Sequence, residues 1–398
     1  MTTIPGSVTS PQGFKAAGIA AGIKASGNKD LALIFSETPC SAAGVFTRNR
    51  VKAAPVLLCQ SHLADGRAQA VIVNSGNANC CTGERGMADA RRMAALTAEG
   101  LQLKPEDVLV GSTGVIGVHL PMAVVEQGIR RILPALSPTG GDDAAEATMT
   151  TDTVPKKAAV RVQIGGRTVT LGGMAKGAGM IAPNMGTMLS YLTTDAAVEP
   201  GLLQTLLKAV VDRSYNMVTV DGDTSTNDTV ILMANGASGV RVTASADADR
   251  FREALMALTL DLAKQIARDG EGATKFVTVR VTSARNFSDA RTVAMSVANS
   301  NLVKTAIFGR DPNWGRILCA AGYSGAEIDP NRVKVSMVGI PIFADGGPVP
   351  FDKPKAIEAL ATREVLIEID LGDGAEAVEA YTCDFSYDYV KINAEYTT

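Results

Sequence analysis

An α+β architecture is the fold class this sequence predicts, and three observations predict it. Helical and extended signals alternate along all 398 residues. A Gly-Gly step of the kind that closes a tight hairpin joins two of the extended runs. No regular strand–helix–strand rhythm runs through the chain, as a doubly wound parallel sheet would require. The length leaves core enough for one large or two to three ordinary domains. No internal repeat or low-complexity linker divides it, and the best boundary is expected in the loop region before or around Thr187.

The elements follow in order. QAVIVNSG (69–76) is an apolar, β-branched run ended by turn residues, hence a strand. GMADARRMAALTAEGL (86–101) places apolar residues at helical spacing and predicts a helix ending near Gly100. EDVLVGSTG (106–114) reads as a strand running into a glycine-rich loop, and PMAVVEQGIRRILPAL (121–136) as a helix with proline in its first turn. VRVQIGGRTVTLGG (160–173) is a hairpin turning at Gly165-Gly166, and TMLSYLTTD, from Thr187 on, is a buried strand. Residues 200–215 and 248–270 are amphipathic helices with the strand DTVILMANG between them. KFVTVRVTSA (275–284) alternates cleanly, and RVKVSMVG, EVLIEIDLG and YVKINAEY read as further strands.

With 46% apolar and 20% charged residues and a net charge of −3, the composition is that of a globular enzyme. No clustered Lys/Arg face exists, so nucleic acid is not an expected partner. No uninterrupted apolar run of about 18 residues exists, so no membrane span is expected. MTTIPGSVTS lacks the basic and apolar regions of a secretory signal, and the expected compartment is the cytoplasm. The six cysteines show no CxxC spacing and are expected as reduced thiols, mostly in the core.

Conventional catalytic groups are sparse. The histidines are His62 and His119; His62 follows LLCQS in an expected surface turn, and no carboxylate flanks His119, so a histidine triad has little to draw on. No HExxH, paired cysteines or carboxylate–histidine cluster points to a metal, and none is expected. GAGMIA (177–182) matches the dinucleotide fingerprint in form, yet Pro183 stands where the first turns of the phosphate-binding helix would run. A nucleotide-binding protein is therefore the weaker rival.

The stretch MAKGAGMIAPNMGTMLSYLTTDA (174–196) offers different chemistry. A threonine hydroxyl is a poor nucleophile alone, but a chain-terminal threonine carries its own base, an α-amino group of pKa about 7.7–8.0. Thr187 becomes such a terminus if its hydroxyl attacks the carbonyl of Gly186 and the resulting ester hydrolyses. Gly186 permits the backbone angles such a distorted peptide needs. The plain alternative is a tight turn into a core strand, and pattern alone leaves both open.

This stretch resembles the autocleavage segment of the ornithine acetyltransferase (ArgJ) family, typically K-G-S/A-G-M-I-x-P-x-M-A-T-M-L. The likeness continues in family order through NSGNANCCTG (74–83), GSTGVIG (111–117), MTTDT (149–153), DGDTSTNDT (221–229), DGEGATKF (269–276), GRDPNWGRI (309–317) and the terminal INAEYTT. It covers essentially the whole chain. The resemblance implies a layered α/β/β/α-type sandwich, shared with the DmpA-like aminopeptidases. It implies cleavage between Gly186 and Thr187, leaving an α chain of residues 1–186 and a β chain of 187–398 assembled as a dimer of αβ units. Thr187 matches the nucleophile, and Thr113 and Gly114 match an oxyanion-hole pair, one hydroxyl and one backbone N–H. Thr150, Lys176, Thr187, Glu271, Asn393 and Thr398 match substrate-contacting positions. The implied reaction moves acetyl from N-acetylornithine to glutamate through an acetyl-Thr187 ester, in arginine synthesis and with no cofactor. No motif decides whether acetyl-CoA serves as a second acetyl donor.

Charge agrees with these roles. Lys176 suits a substrate carboxylate and Glu271 the ornithine ammonium, although the plain reading of Glu271 is a solvated residue after a helix. Asn393 and Thr398 offer polar contacts from the C-terminal tail. DGDTSTNDT lacks the Glu that a calcium loop needs at its twelfth position, and its acids are expected to order a loop beside the site. Trp314 is expected as a packing anchor. The small residues and Pro183 are expected to form a flexible arm that presents the scissile carbonyl and places Lys176. Two departures stand out. Gly186 replaces the family's usual Ala and is expected to preserve cleavage, and Cys80-Cys81 stands where Ala-Cys is common. The rival within the same architecture is a self-cleaving aminopeptidase or amidohydrolase, which usually uses Ser and passes the acyl group to water.

Overall fold

The computed structural model describes residues 1–182, 188–243 and 246–395, so Pro183, Gly186, Thr187 and Thr398 lie outside the described residues. The chain divides into two units, Met1–Asn216 with Asp223–Leu262, and Met217–Gly222 with Ala263–Thr397. The expected α+β class holds in each.

The first unit is built on β1 (Thr2–Ile4), β2 (Phe14–Ile19), β3 (Leu31–Phe46), β4 (Arg67–Asn77), β5 (Val108–Val115), β6 (Lys156–Ile164), β7 (Arg167–Lys176), β8 (Leu189–Thr194), the short β9 (Ala197–Val198), β10 (Thr229–Ala234) and the short β11 (Arg241–Val242). Among the described residues, nine of these form one sheet in the order β1-β6-β7-β8-β10-β3-β4-β5, with β2 beside β3. The β4–β5 and β8–β10 pairs are parallel, and the others in this sheet antiparallel. The helices are α1 (Ala54–His62), α2 (Gly83–Leu101), α3 (Met122–Ile132), α4 (Gly141–Thr148), α5 (Pro200–Arg213) and α6 (Ala246–Arg268), the last ending beyond this unit.

Side-chain alternation explains how the sheet is held. On β3, β4 and β5, Leu31, Leu33, Ile72, Val108 and Val110 join one apolar cluster with residues of α2 and α3. Their alternates Ala32, Ile34, Val71, Val73 and Leu109 join another, with Ala144, Ala145 and Ala147 of α4. Both faces are therefore buried, the period-2 consequence of the pleat. Every residue of β8 is buried because β7 and β10 flank it on both edges, which explains its uninterrupted low polarity. The β6–β7 hairpin closes as expected: Ile164 pairs with Arg167, and Gly165 and Gly166 take φ of +56° and +75°.

α2 ends at Leu101, next to Gly100 as expected, with Gln102 left-handed at φ +58°. Gly100 makes room, since a Cβ there would stand 2.2 Å from a methyl of Leu133. Two expectations change. His62 is the last residue of α1 rather than part of a turn, with Nδ1 2.9 Å from the Val108 carbonyl. The boundary expected around Thr187 does not separate the two units, because β7 and β8 on either side of it pair within one sheet.

In the second unit, β12 (Phe276–Ala284), β13 (Lys334–Met337), β14 (Ile340–Ala344), β15 (Gly347–Pro348), β16 (Glu364–Asp370) and β17 (Glu376–Cys383) form a sheet ordered β15-β14-β13-β16-β12-β17. Its helices are α7 (Phe287–Asn299), α8 (Asn301–Phe308), α9 (Trp314–Gly322), α10 (Lys353–Ala359) and α11 (Tyr387–Glu395). Val277, Val279, Val281, Ile367 and Ile369 of the sheet bury with Val293, Val297, Ile317 and Ala320 from the helices. Trp314 stacks on Phe343 at 5.2 Å, the packing role expected of it.

The last element corrects the sequence reading. The apolar–polar alternation of Val390 to Tyr396 predicts a strand, but residues 387–395 form α11. Local pattern is overridden here by packing. What decides is i,i+4 contact: Phe385 and Tyr389 rings meet at 4.4 Å, and Asn393 Nδ2 donates to the Tyr389 carbonyl. Among the described residues, no helix is long and apolar enough to cross a membrane.

Candidate functional site

Thr113 and Gly114 lie near the end of β5, where the chain departs from regular pairing. Asn77 on β4 faces both Thr113 and Val115, an irregularity in an otherwise regular parallel ladder. Gly114 makes it possible to bring the two strands this close. Its φ is +131°, and a Cβ would lie 2.3 Å from the Gly76 carbonyl carbon. No side chain fits, so only glycine carries the backbone here.

Lys176 is the last residue of β7 and pairs with Leu189 on β8, two residues beyond Thr187. Strand pairing therefore holds its backbone, not the flexible arm expected from the sequence. Its Nζ donates to Thr150 Oγ1 at 2.7 Å and Thr113 Oγ1 at 3.3 Å, joining residues 26 and 63 positions away. Thr113, Thr150 and Lys176, three of the residues singled out by the resemblance, thus converge.

Asp152 organises this corner. Its carboxylate accepts the Thr150 N–H at 3.0 Å, the Gly177 N–H at 2.7 Å and Lys156 Nζ at 2.6 Å, and lies 3.8 Å from Lys176 Nζ. The side chains of Asp152 and Lys156 are wholly buried, and that of Lys176 is 10% exposed. Burial alone would raise the Asp152 pKa, but Lys176 and Lys156 outweigh it and hold the carboxyl well below the usual range. Two ammonium groups therefore share one carboxylate in a poorly hydrated corner. A third, Lys24, donates to the carbonyls of Met149 at 2.6 Å and Lys29 at 2.9 Å. Burial pulls the Lys24 pKa down, opposed by Asp30 and reinforced by the charge of Lys176. Asp30 and Glu146 also act on Lys24, so the corner is a dense, buried cluster of both signs rather than a single ion pair.

The segment 221–229 brackets the undescribed residues 183–187. Ile181 bridges Thr224, whose hydroxyl donates to the Ala182 carbonyl at 3.0 Å, and Thr229 N–H donates to the Met188 carbonyl at 3.0 Å. Asp228 is buried, and among the described residues its Oδ2 has no hydrogen-bond partner. Burial pushes its pKa well up, against the opposing pull of Thr47, the Met188 N–H and Lys176. GAGMIA is no phosphate loop: residues 177–182 contain no helix, and the Gly177 N–H is committed to Asp152.

In the second unit, Glu271 is buried rather than solvated, and its Oε2 accepts from Asn393 Nδ2 at 2.8 Å. These two predicted residues meet across 122 positions because α11 is a helix. Thr187, Gly186 and Thr398 lie outside the described residues. Among the described residues, no group of three or more His, Cys, Asp or Glu stands where it could hold a metal ion.

Sequence reasoning did not pick out Asp152, Lys156 or Lys24, and it took Asp228 only as one of the acids ordering the 221–229 loop. Asp152 was visible inside MTTDT, the block singled out for Thr150, but nothing local shows that a carboxylate there meets lysines of β6 and β7. Its role is set by sheet register.

Comparison with known proteins agrees with this picture. The family model described as the ArgJ family matches residues 15–398. A protein of Symbiobacterium thermophilum named arginine biosynthesis bifunctional protein ArgJ is 55% identical, the alignment covering 100% of both chains. One of the same name from Caldanaerobacter subterraneus is 49% identical, again over 100% of both. The crystal structure of the arginine biosynthesis bifunctional protein ArgJ from Bacillus halodurans is similar with a TM-score of 0.51 and 44% identity. That match covers 52% of this chain and 98% of the solved one. With its family pattern matched over nearly its whole length and relatives about half identical end to end, this chain belongs to the ArgJ family.

Proposed function

We propose that this chain is a self-processing glutamate N-acetyltransferase of arginine biosynthesis, transferring acetyl from N2-acetylornithine to glutamate. The observation that carries the reading is the Lys176–Thr113–Thr150 convergence over Asp152. In this reading Lys176 is the receptor for an amino-acid carboxylate, and the convergence supports its working next to the Thr113–Gly114 oxyanion-hole pair.

The chain first cleaves between Gly186 and Thr187, dividing into residues 1–186 and 187–398, which remain associated as αβ units paired into a dimer. The match of a solved relative's chain to about half of this one supports that division. Thr187 Oγ then attacks the acetyl carbonyl while its freed α-amino group takes the hydroxyl proton. The Thr113 hydroxyl and Gly114 N–H stabilise the tetrahedral oxyanion. Collapse expels ornithine, which takes the proton back, and leaves acetyl-Thr187. The α-amine of glutamate attacks that ester, and Thr187 is restored with N-acetylglutamate released. Lys176 and Thr150 hold the substrate carboxylate; Glu271, Asn393 and Thr398 bind the remainder, Glu271 matching the ornithine ammonium. The chemistry asks for no metal or cofactor, and acetyl-CoA serves as an alternative donor for the same acetyl-Thr187 ester. We assign the enzyme to the cytoplasm.

Denaturing mass spectrometry of active enzyme tests the first step. Two chains are expected, and one intact 41.3 kDa chain with full activity would overturn the reading. Thr187→Ala should stay whole and inactive; retained turnover rejects the nucleophile. Product analysis with and without glutamate separates transfer from hydrolysis, since a hydrolase releases acetate at the same rate in both.

A further inference from the structure

Cys80 and Cys81 take no part in the chemistry above, yet their arrangement is unusual. Consecutive side chains of an extended chain point to opposite faces. Here Asn79 and Cys81 are both left-handed, at φ +47° and +56°, a conformation uncommon outside glycine. The effect is to bring the two sulfur atoms within 3.7 Å, with Cys80 buried and Cys81 exposed.

A direct disulfide does not suit the pair. No described peptide bond is cis, so the two Cα atoms lie about 3.8 Å apart, inside the roughly 4.4 Å lower limit of disulfides. A bridging atom suits it better. Two sulfurs on one soft centre at about 2.3 Å stand roughly 3.4 Å apart at the near-right angles of a pyramidal centre and about 3.8 Å apart at tetrahedral ones, so the 3.7 Å spacing found needs to close by only a few tenths of an ångström. Among the described residues no third His, Cys, Asp or Glu completes a metal site there. The pair therefore fits a centre that needs two thiolates and brings its own remaining substituent.

We propose that Cys80 and Cys81 form a bidentate binding site for monosubstituted trivalent arsenicals. The step balances without an oxidant: one arsenic oxide and two thiols give a cyclic dithioarsinite and one water. The site is wired to the oxyanion strand. The Cys80 carbonyl accepts the Gly117 N–H at 2.9 Å, and Ala78 N–H donates to the Val115 carbonyl at 2.9 Å. Asn227 Nδ2 clamps the carbonyls of Ala78 and Ser112 at 2.7 and 2.8 Å. Closing the arsenical ring shifts this strap and with it Thr113 and Gly114. Occupancy then lowers acetyl transfer, a consequence that rests on the function proposed above.

Phenylarsine oxide is the probe, applied to purified processed enzyme. Intact-mass analysis should show one phenylarsenic unit on the chain carrying residues 80 and 81, stable to a monothiol and removed by a dithiol. Transfer activity should fall in step with occupancy. Cys81→Ser and Cys80→Ala should each lose the dithiol-requiring adduct, whereas Cys319→Ala, which removes the other exposed thiol, should keep it. Persistence of that adduct in Cys81→Ser, or its absence in the parent protein, overturns the site. A full adduct with unchanged transfer overturns the coupling. The mass readout needs no turnover, so failure of the site and failure of the acetyltransferase reading are distinguishable.

Discussion

Both units bury lysines, and the two units cap them with different kinds of acceptor. In the second unit, Lys275 donates to the carbonyls of Ile307 and Leu360, and Lys304 to the Thr382 hydroxyl and the Cys383 carbonyl. Most of these acceptors are main-chain carbonyls locked in strands and helix ends, so the charge is tied down. In the first unit, Lys176 donates to two threonine hydroxyls and shares Asp152 with Lys156. A hydroxyl rotates and re-partners; a carbonyl in a ladder does not. Burial of a lysine is thus a weak pointer to a site, and the nature of its acceptors is a better one.

The comparison breaks most visibly at Asp152. Asp152→Asn keeps the shape but leaves Lys156 and Lys176 without their shared counter-charge, and should cost about 3–5 kcal/mol in urea or thermal unfolding, with loss of transfer. A change below about 1 kcal/mol would show that the two lysines are balanced elsewhere. The sign of the pH effect follows from the depressed carboxyl. Its stabilisation is fully present above the unfolded value of about 3.9 and fades as pH falls through the folded one. The stability gap between parent and Asp152→Asn should therefore be constant from neutral pH to about 5 and shrink below about 4.

Lys176→Met should act on kinetics more than on folding. With Lys176 holding the substrate carboxylate as proposed, losing that charged hydrogen bond should cost about 1.5–3 kcal/mol in kcat/KM, roughly 10- to 150-fold. Unfolding should move little, because Asp152 keeps Lys156. Lys304→Met should do the reverse and more mildly: about 1–3 kcal/mol of stability from unpaired Thr382 and Cys383 acceptors, with KM and kcat unchanged. Equal kinetic effects in both variants would erase the distinction between the units.

Much of this was legible in advance. The β-branched run of β4, the Gly-Gly hairpin of β6 and β7, and the long amphipathic α5 and α6 each write their period into a dozen residues. Thr113, Gly114, Thr150 and Lys176 were named from motif likeness, and the structure brings the hydroxyls and the ammonium together. The misreading fell on α11, where a short alternating run was outvoted by aromatic and amide contacts four residues apart.

What the sequence by itself determined is therefore local and chemical: which runs extend or coil, and which residue types are at hand. What only the tertiary structure decided is which distant groups share a space. Asp152 became the hub of Lys156, Lys176 and Gly177 because β6 and β7 pair in one register and end at one corner. Glu271 became a buried partner of Asn393 because the chain's last described element coils instead of extending. The physical reason is common to both. Secondary structure is set by interactions a few residues long, whereas a site is set by strand register and packing, which join residues tens to a hundred positions apart.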